Sequence, residues 1–265
     1  MKHRLVRLSM VVGAVFAGMF LLQAIFIPYV QKLDGKPPVP ELPTEPRALG
    51  DYYFGGNNGQ ESVYDLKQAR HYYELALTEG LDKDPTLWYQ LGRIDFLEGS
   101  FTDALYKFEQ QLKYFPTGTY RVYYMIGLTH GYQAKETKRA ADWLAAEAGF
   151  IKFLEFDPSS PWARTDLAWI YFAQGKFAKM KPLLELGLVL QPDHPWLLNM
   201  YGLYLVNTGH PAEALTYYDR ALANAEALTE IEWGSAYPGN NPLFWGDGLT
   251  EFREVINYNR SLVTD

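Results

Sequence analysis

The chain's ionisable and nucleophilic side chains do not converge on any known reactive spacing. Its five histidines, His3, His71, His130, His194 and His210, form no His-x3-His pair and no His-Glu-x2-His stretch, so zinc-ligand spacing is missing. There is no Gly-x-Ser-x-Gly elbow, no phosphate loop ending in Lys-Ser/Thr and no dinucleotide fingerprint. Asp82 and Asp84, in a loop before Pro85, could hold a cation weakly, and solvated loop carboxylates are the plainer reading. Cysteine is absent, which excludes disulfides, thiolate metal sites and a lipid-bearing anchor cysteine. The expectation is a protein without catalytic residues, metal or cofactor: not an enzyme. What the chain does have is rings. With 7 Trp, 20 Tyr and 15 Phe, aromatics make up 16% of the sequence, and the chemistry open to them is packing and recognition.

The aromatics sit within a pattern. From Trp88 to Pro116 the sequence reads Trp88-Tyr89-Gln90-Leu91-Gly92, then Gly99, Ala104, Phe108 and Pro116. Gly92 and Ala104 let two helices approach closely, Phe108 fills the angle between them, and Pro116 ends the second. Thirty-four residues separate Pro158 from Pro192, Pro161 from Pro195, Trp162 from Trp196, Ala168 from Gly202, and Gly175 from Gly209. This pattern resembles the tetratricopeptide repeat (TPR) superfamily, whose unit is a helix-turn-helix of about 34 residues. Repeats run roughly 161–192 and 195–226. The last carries Gly202, Gly209, Ala214, Tyr218 and Ala221. The one before carries Met180 and Leu184 where Ala and Phe are usual, so its second helix is expected to pack less tightly. A further repeat holds Gly127, Ala146, Phe150, Phe153 and Pro158, with about seven residues too many between its halves; longer helices around a turn near Lys135–Lys138 would absorb them. Upstream, Asp65 with Gln68 suggests a capping box opening a helix with Ala69, Tyr73 and Ala76 on one face. This reads as half a repeat, with Asp51–Gly59 in place of its first helix. More narrowly, Leu167-Ala168-Trp169-Ile170-Tyr171-Phe172, Pro195-Trp196-Leu197-Leu198-Asn199 and Tyr237-Pro238-Gly239-Asn240 resemble membrane-anchored bacterial TPR proteins of unassigned activity.

The resemblance implies an all-α solenoid in which the first helices of the repeats line a concave groove. Mapped by repeat position, the groove receives Tyr89, Arg93, Phe96 and Leu97, then Arg121, Tyr124, Leu128 and Tyr132. Trp162, Thr165, Trp169 and Phe172 follow, then Trp196, Asn199, Leu203, Val206 and Asn207. The family's carboxylate clamp needs Lys and Asn at repeat positions that hold Tyr89, Tyr124, Thr165, Asn199, Arg93, Leu128, Trp169 and Leu203 here, so a receptor for chaperone tails is excluded. The mapped residues are mostly large and apolar, the composition of a surface that anchors an apolar segment of a protein or peptide partner. The competing readings are that Trp169 and Phe172 are inter-repeat core, and that the rings stack on the sugars of a glycan or cell wall.

Composition bounds the rest. A 48% hydrophobic chain can bury a core, so it is not disordered. Three of its 24 basic residues and none of its 31 acidic ones precede residue 31, leaving a charge of −10 on the remainder. Such an acidic body repels phosphate backbones, so no nucleic-acid partner is expected. Leu8 to Val30 is uncharged, and 23 helical residues would span about 34 Å. With Lys2, Arg4 and Arg7 before it, the run reads as a single-pass anchor. Residues 1–7 would then be cytoplasmic and the solenoid exterior or periplasmic. The alternative is a cleaved signal peptide, though Leu22-Gln23-Ala24 is a poor cleavage site. Ala14 with Gly18, or Gly13 with Ala17, could pair two such helices into a homo-oligomer.

Residues 31–60 read as a proline-rich stalk, through Pro37, Pro38, Pro40, Pro43 and Pro46, followed by an N-terminal loop. The TPR solenoid is placed at 61–226, about four and a half units. Residues 227–265 are expected to form a loop and a C-terminal capping helix with Leu249, Phe252, Ile256 and Leu262 on one face and Asp247 as its N-cap. In the alternative reading, Tyr237–Trp245 folds back into the groove. The function expected is an interaction or assembly scaffold at the cell envelope.

Overall fold

The structure is a computed structural model that describes residues 42–55, 64–79, 84, 86–117, 120–236 and 240–264. The cytoplasmic tail at 1–7, the run at 8–30 and most of the expected stalk lie outside these residues. The described elements are helical apart from one isolated bridge between Phe54 and Tyr64. In chain order they are α1 (Pro46–Tyr53), α2 (Leu66–Thr78), α3 (Leu87–Leu97), α4 (Phe101–Tyr114), α5 (Arg121–Thr137), α6 (Ala140–Phe156), α7 (Pro161–Ala173) and α8 (Phe177–Leu190). Then come α9 (Pro195–Asn207), α10 (Pro211–Ala227), α11 (Glu230–Ser235), a 3-10 turn at Pro242–Phe244 and α12 (Trp245–Thr264). Each odd-numbered helix up to α9 pairs with the next, and each pair packs on the following one.

A glycine on the first helix and a ring on the second set the tilt within a pair. A Cβ at Gly92 would lie 2.5 Å from the Phe108 ring, and one at Gly127 would lie 3.0 Å from Phe150. Gly50 under Tyr73 and Gly202 under Tyr218 are tighter still. The rings of Tyr73, Phe108, Phe150 and Tyr218 are fully buried. In the pair α7–α8 the seam is made by Ala168, Met180 and Leu184, all inaccessible to solvent. The looser packing expected there is observed: the backbones of α7 and α8 approach each other less closely along their length than those of the other pairs, and the bulkier side chains occupy the wider seam.

The turns divide by length. Gly99, Gly175 and Gly209 take φ of 78°, 68° and 89° between the helices of three pairs. In α5–α6 the helices run to 17 residues each and Lys138, at φ 59°, takes the left-handed position instead.

Two of the expected boundaries are corrected. The segment read as stalk and loop contains α1, whose Pro46 supplies a preset first-turn φ and whose Arg47 pairs with Asp51 one turn on. Gly50 and Tyr73 make α1–α2 a full repeat, so the solenoid begins at Pro46 rather than at 61 and comprises five pairs among the described residues. The Asp65 carboxylate does cap α2, accepting from the Gln68 amide at 3.0 Å. At the other end α12 starts at Trp245, two residues before Asp247, which therefore lies in the first turn instead of capping it.

α12 closes the solenoid. Leu249, Phe252 and Ile256 bury against Trp196, Leu198, Ala221, Ala225 and Trp233. Phe252 stacks on Trp196 with centroids 4.5 Å apart. Arg253 donates to the carbonyls of Ala225, Glu226 and Leu228, all at 3.0 Å, which satisfies the open C-terminal end of α10.

Among the described residues no helix is long and apolar enough to cross a membrane. The longest, α12, has 20 residues and carries Asp247, Glu251, Arg253, Glu254 and Arg260 along its length. The expected localisation, a single-pass membrane protein with the solenoid on the far side, is corrected on this finding and is not carried forward.

Replacing Gly92 with Leu should destabilise the fold by about 1–3 kcal/mol or more, because the Phe108 ring cannot retreat from its buried seat. Gly99 differs: a Cβ there would meet nothing within 4 Å, so Gly99→Val pays only for its left-handed backbone, about 1–2 kcal/mol, and Gly99→Asn much less. Denaturant melts of the three variants check the order; neutral Gly92→Leu would refute the seam. Deleting residues 249–265 should lower the melting temperature and promote aggregation, because it bares the apolar face of α9–α10. An unchanged melt and a monomeric elution profile would contradict this.

Candidate functional site

The row of first helices α3, α5, α7 and α9 carries a cavity of about 760 Å³, counting the part open to solvent. Its wall is assembled from four repeats. α3 contributes Arg93, Phe96 and Leu97, and α5 contributes Tyr124, Met125, Leu128 and Tyr132. α7 gives Trp162, Thr165 and Asp166, α9 gives Trp196, and Ala236 and Asn240 from the C-terminal segment complete the rim.

The rings hold one another in place. Phe96 and Tyr132 meet edge to face at 5.4 Å, as do Trp162 and Trp196 at 4.8 Å. Beside Trp162, at 4.5 Å, lies His194, the N-cap of α9, whose Nδ1 accepts from the Leu197 amide at 3.4 Å. Burial pulls this imidazole down to about 4, so it stays neutral, as accepting at Nδ1 requires. Arg93 does not project freely. Its guanidinium lies 4.6 Å over the Phe54 ring and donates to Gln90 Oε1 at 2.7 Å.

The polar feature of the wall is Asp166. Its Oδ2 accepts from the Tyr124 hydroxyl at 2.5 Å, and no ion pair reaches it among the described residues. The side chain is partly open to the cavity but lies deep within it, where little water solvates a charge. Burial pushes the carboxyl up to about 7, and the Tyr124 bond opposes this only in part.

The structure divides the residues expected in the groove. Arg93, Phe96, Tyr124, Tyr132, Trp162 and Trp196 are brought together around the cavity. Tyr89 is half-buried against the Phe108 ring, to one side of it. Arg121 is exposed at the start of α5, and it too is off the wall. Trp169 and Phe172 are core: Trp169 packs against Tyr132 and Trp143, and Phe172 against Phe177. Asn199 is buried under α12, where it accepts from Asn259 Nδ2 at 3.0 Å, because the capping helix occupies the side on which a further repeat would stack. Sequence reasoning missed Asp166, although a signal was present, since Arg164 and Asp166 are the charged residues of a mostly apolar α7. It could not have placed Ala236 and Asn240, which reach the wall through the path of the C-terminal segment. The alternative in which Tyr237–Trp245 fills the groove falls partly on residues 237–239, outside those described. No group of His, Cys, Asp and Glu suited to a metal ion occurs among the described residues.

The Asp166 carboxyl gives the fold a pH dependence of definite sign. Its folded value lies above the ordinary carboxylate value, so between the two the native state holds a proton that the unfolded chain has released. Stability contributed by this group therefore falls as pH rises through about 4 to 7 and levels off above. From about pH 5 to about pH 8 the wild type should lose on the order of 2 kcal/mol relative to Asp166→Asn. Denaturant melts of both proteins at the two pH values measure it, and parallel curves would mean that the carboxyl is well solvated.

No family model and no curated protein matches the chain. Solved structures do. The chain is 18% identical to TTC0263, a thermophilic TPR protein of Thermus thermophilus, with a TM-score of 0.53 over 77% of this chain and 97% of that one. A structure of MamA protein matches at 18% identity and a TM-score of 0.55, covering 68% of this chain and 90% of its own. A second MamA structure matches at 20% identity and a TM-score of 0.52, covering 61% and 90%. At such identities the likeness is one of fold, and the fold that this chain shares with them is the TPR solenoid.

Proposed function

We propose that the protein is an interaction scaffold and that a segment of a partner protein binds in the cavity between α3, α5, α7 and α9. The observation that carries this reading is the wall itself: rings from four successive repeats converge on one recess. A recess built from several repeats is suited to an extended chain, which can touch each repeat in turn. Rings fixed by neighbouring rings lose little freedom when a partner covers them, and such preorganised anchors carry much of an interface's energy. The TPR fold supports the reading, since its stacked first helices form one continuous face.

Glycan binding is the weaker alternative. A sugar stacks on an open ring face, whereas Trp196 has one face covered by Phe252 and the Trp162 ring set against it at 72°. The rings form a pocket instead of a flat platform.

The test places a photocrosslinking amino acid at Leu128, on the wall, in cells expressing the full chain. A defined adduct is expected, and Phe96→Ala with Trp162→Ala should abolish it, since each lost anchor weakens binding by about 2 kcal/mol or more. Both rings are only half-buried, so the fold should survive their truncation. Trp196 is a poorer probe because it also seats α12. Glu109→Lys, on an exposed face of α4, should leave the adduct intact. Undiminished adduct in the double variant at equal expression would move the binding site elsewhere.

A further inference from the structure

Asp166 stands apart from the other secluded carboxylates. Asp95 is held by Arg70 at 2.7 Å and by Lys107, bridging α2, α3 and α4. Asp142 is held by Arg139 at 2.8 Å, and Glu147 by Lys176 at 3.3 Å and Lys179 at 2.5 Å. In each case a carboxylate drawn out of water meets a cation, as the desolvation of a charge demands. Asp166 has the Tyr124 hydroxyl, and no cation pairs with it among the described residues. The other charge on the cavity wall, Arg93, is spent on Phe54 and Gln90.

The surroundings of this carboxyl are those that suit a positive charge. Phe96, Tyr132, Trp162 and Trp196 present rings to the same cavity, and ring faces attract ammonium and guanidinium groups. A wholly apolar segment seated there would seal the carboxyl from water with no counter-charge, which is unfavourable. The acidic balance of the chain, −7 overall, draws basic partners during encounter.

We infer that the cavity is a subsite for a basic side chain, with the ammonium of a partner's lysine or the guanidinium of its arginine seated against Asp166 inside the ring wall. The inference rests on the groove reading above and names the chemistry of the residue bound there. It reverses the charge that the absent carboxylate clamp would have selected: this groove chooses a cation within a chain rather than an anionic chain end.

The test uses the full chain and two small probes, N-acetyl-lysine methylamide and its neutral counterpart N-acetyl-norleucine methylamide. Binding is read from the indole N–H signal of Trp162, assigned with Trp162→Phe. The lysine probe should shift this signal with an affinity at least about tenfold better than the norleucine probe, because its charge gains both a carboxylate and ring faces. Asp166→Asn should remove that advantage while the circular dichroism stays helical. Tyr124→Phe, read at about pH 9 where the carboxyl is ionised even without the Tyr124 bond and lysine is still charged, should keep the preference for lysine.

Equal affinity for the two probes overturns the inference, and so does an undiminished lysine preference in Asp166→Asn. The comparison of probes on the unaltered protein decides the matter even if Asp166→Asn fails to fold. A chito-oligosaccharide that moves the Trp162 signal when the lysine probe does not would also overturn it, in favour of a glycan. If the adduct from Leu128 forms and depends on Phe96 and Trp162 while lysine shows no preference, the groove reading stands and the cation subsite alone falls.

Discussion

The solenoid depends on a contact made again and again: a ring from the second helix of a pair lying on a glycine of the first. Gly50 with Tyr73, Gly92 with Phe108, Gly127 with Phe150 and Gly202 with Tyr218 are four instances of it. With no Cβ in the way the backbones close up, and the ring wedges them at a fixed tilt. The tilt then presents the outer face of each first helix in the same direction. Rings on successive first helices, such as Tyr124, Trp162 and Trp196, thereby reach one cavity although they are far apart in sequence. The pair without the glycine, α7–α8, keeps the hairpin but at a wider spacing, with Ala168, Met180 and Leu184 filling its seam.

A stack of identical units has no natural end, and the two ends of the described stack are closed differently. At the start, α1 is only eight residues long, yet Gly50 and Tyr73 make it a member of the stack, and the Tyr73 hydroxyl donates to Asp51 at 2.7 Å. At the end, α12 takes the place of a next first helix. It brings rings, Phe252 against Trp196, and an arginine that satisfies the last carbonyls of α10. It also claims Asn199, so the end of the groove is fixed by the same helix that protects the core. Stability and the extent of the proposed recognition surface are thus coupled at α12.

Ion pairs stitch the repeats together away from the cavity. Glu147 on α6 receives Lys176, Lys179 and the Tyr171 hydroxyl from the next pair, and these bonds outweigh burial to hold its carboxyl below the usual range. Asp95 does the same between the first two pairs. The cavity wall is built on the opposite principle, with the Asp166 carboxyl held by the Tyr124 hydroxyl and paired with no cation among the described residues. That contrast separates the polar network that joins the repeats from the Tyr124–Asp166 hydrogen bond on the cavity wall.

The sequence alone determined the repeat. Gly92 with Phe108, Gly202 with Tyr218, and the prolines and turn glycines 34 residues apart are local signatures, because each records a contact between two helices that are neighbours in the chain. For the same reason the long hairpin α5–α6 and the capping helix were legible. α1 was not, since eight residues directly after a proline-rich stretch are too few to stand out as a helix, and their place in the stack rests on Gly50 packing under Tyr73. The groove was half legible. Repeat position tells which way a residue points from its own helix, and this found Phe96, Tyr124, Tyr132, Trp162 and Trp196. It does not tell what stands opposite. Only the tertiary structure could show that Trp169 faces Trp143 and Tyr132, that Asn199 faces Asn259 sixty residues later, and that Asp166 faces a tyrosine from another repeat with no cation paired to it among the described residues. Burial is a property of what two surfaces do to each other, and neither surface carries it alone.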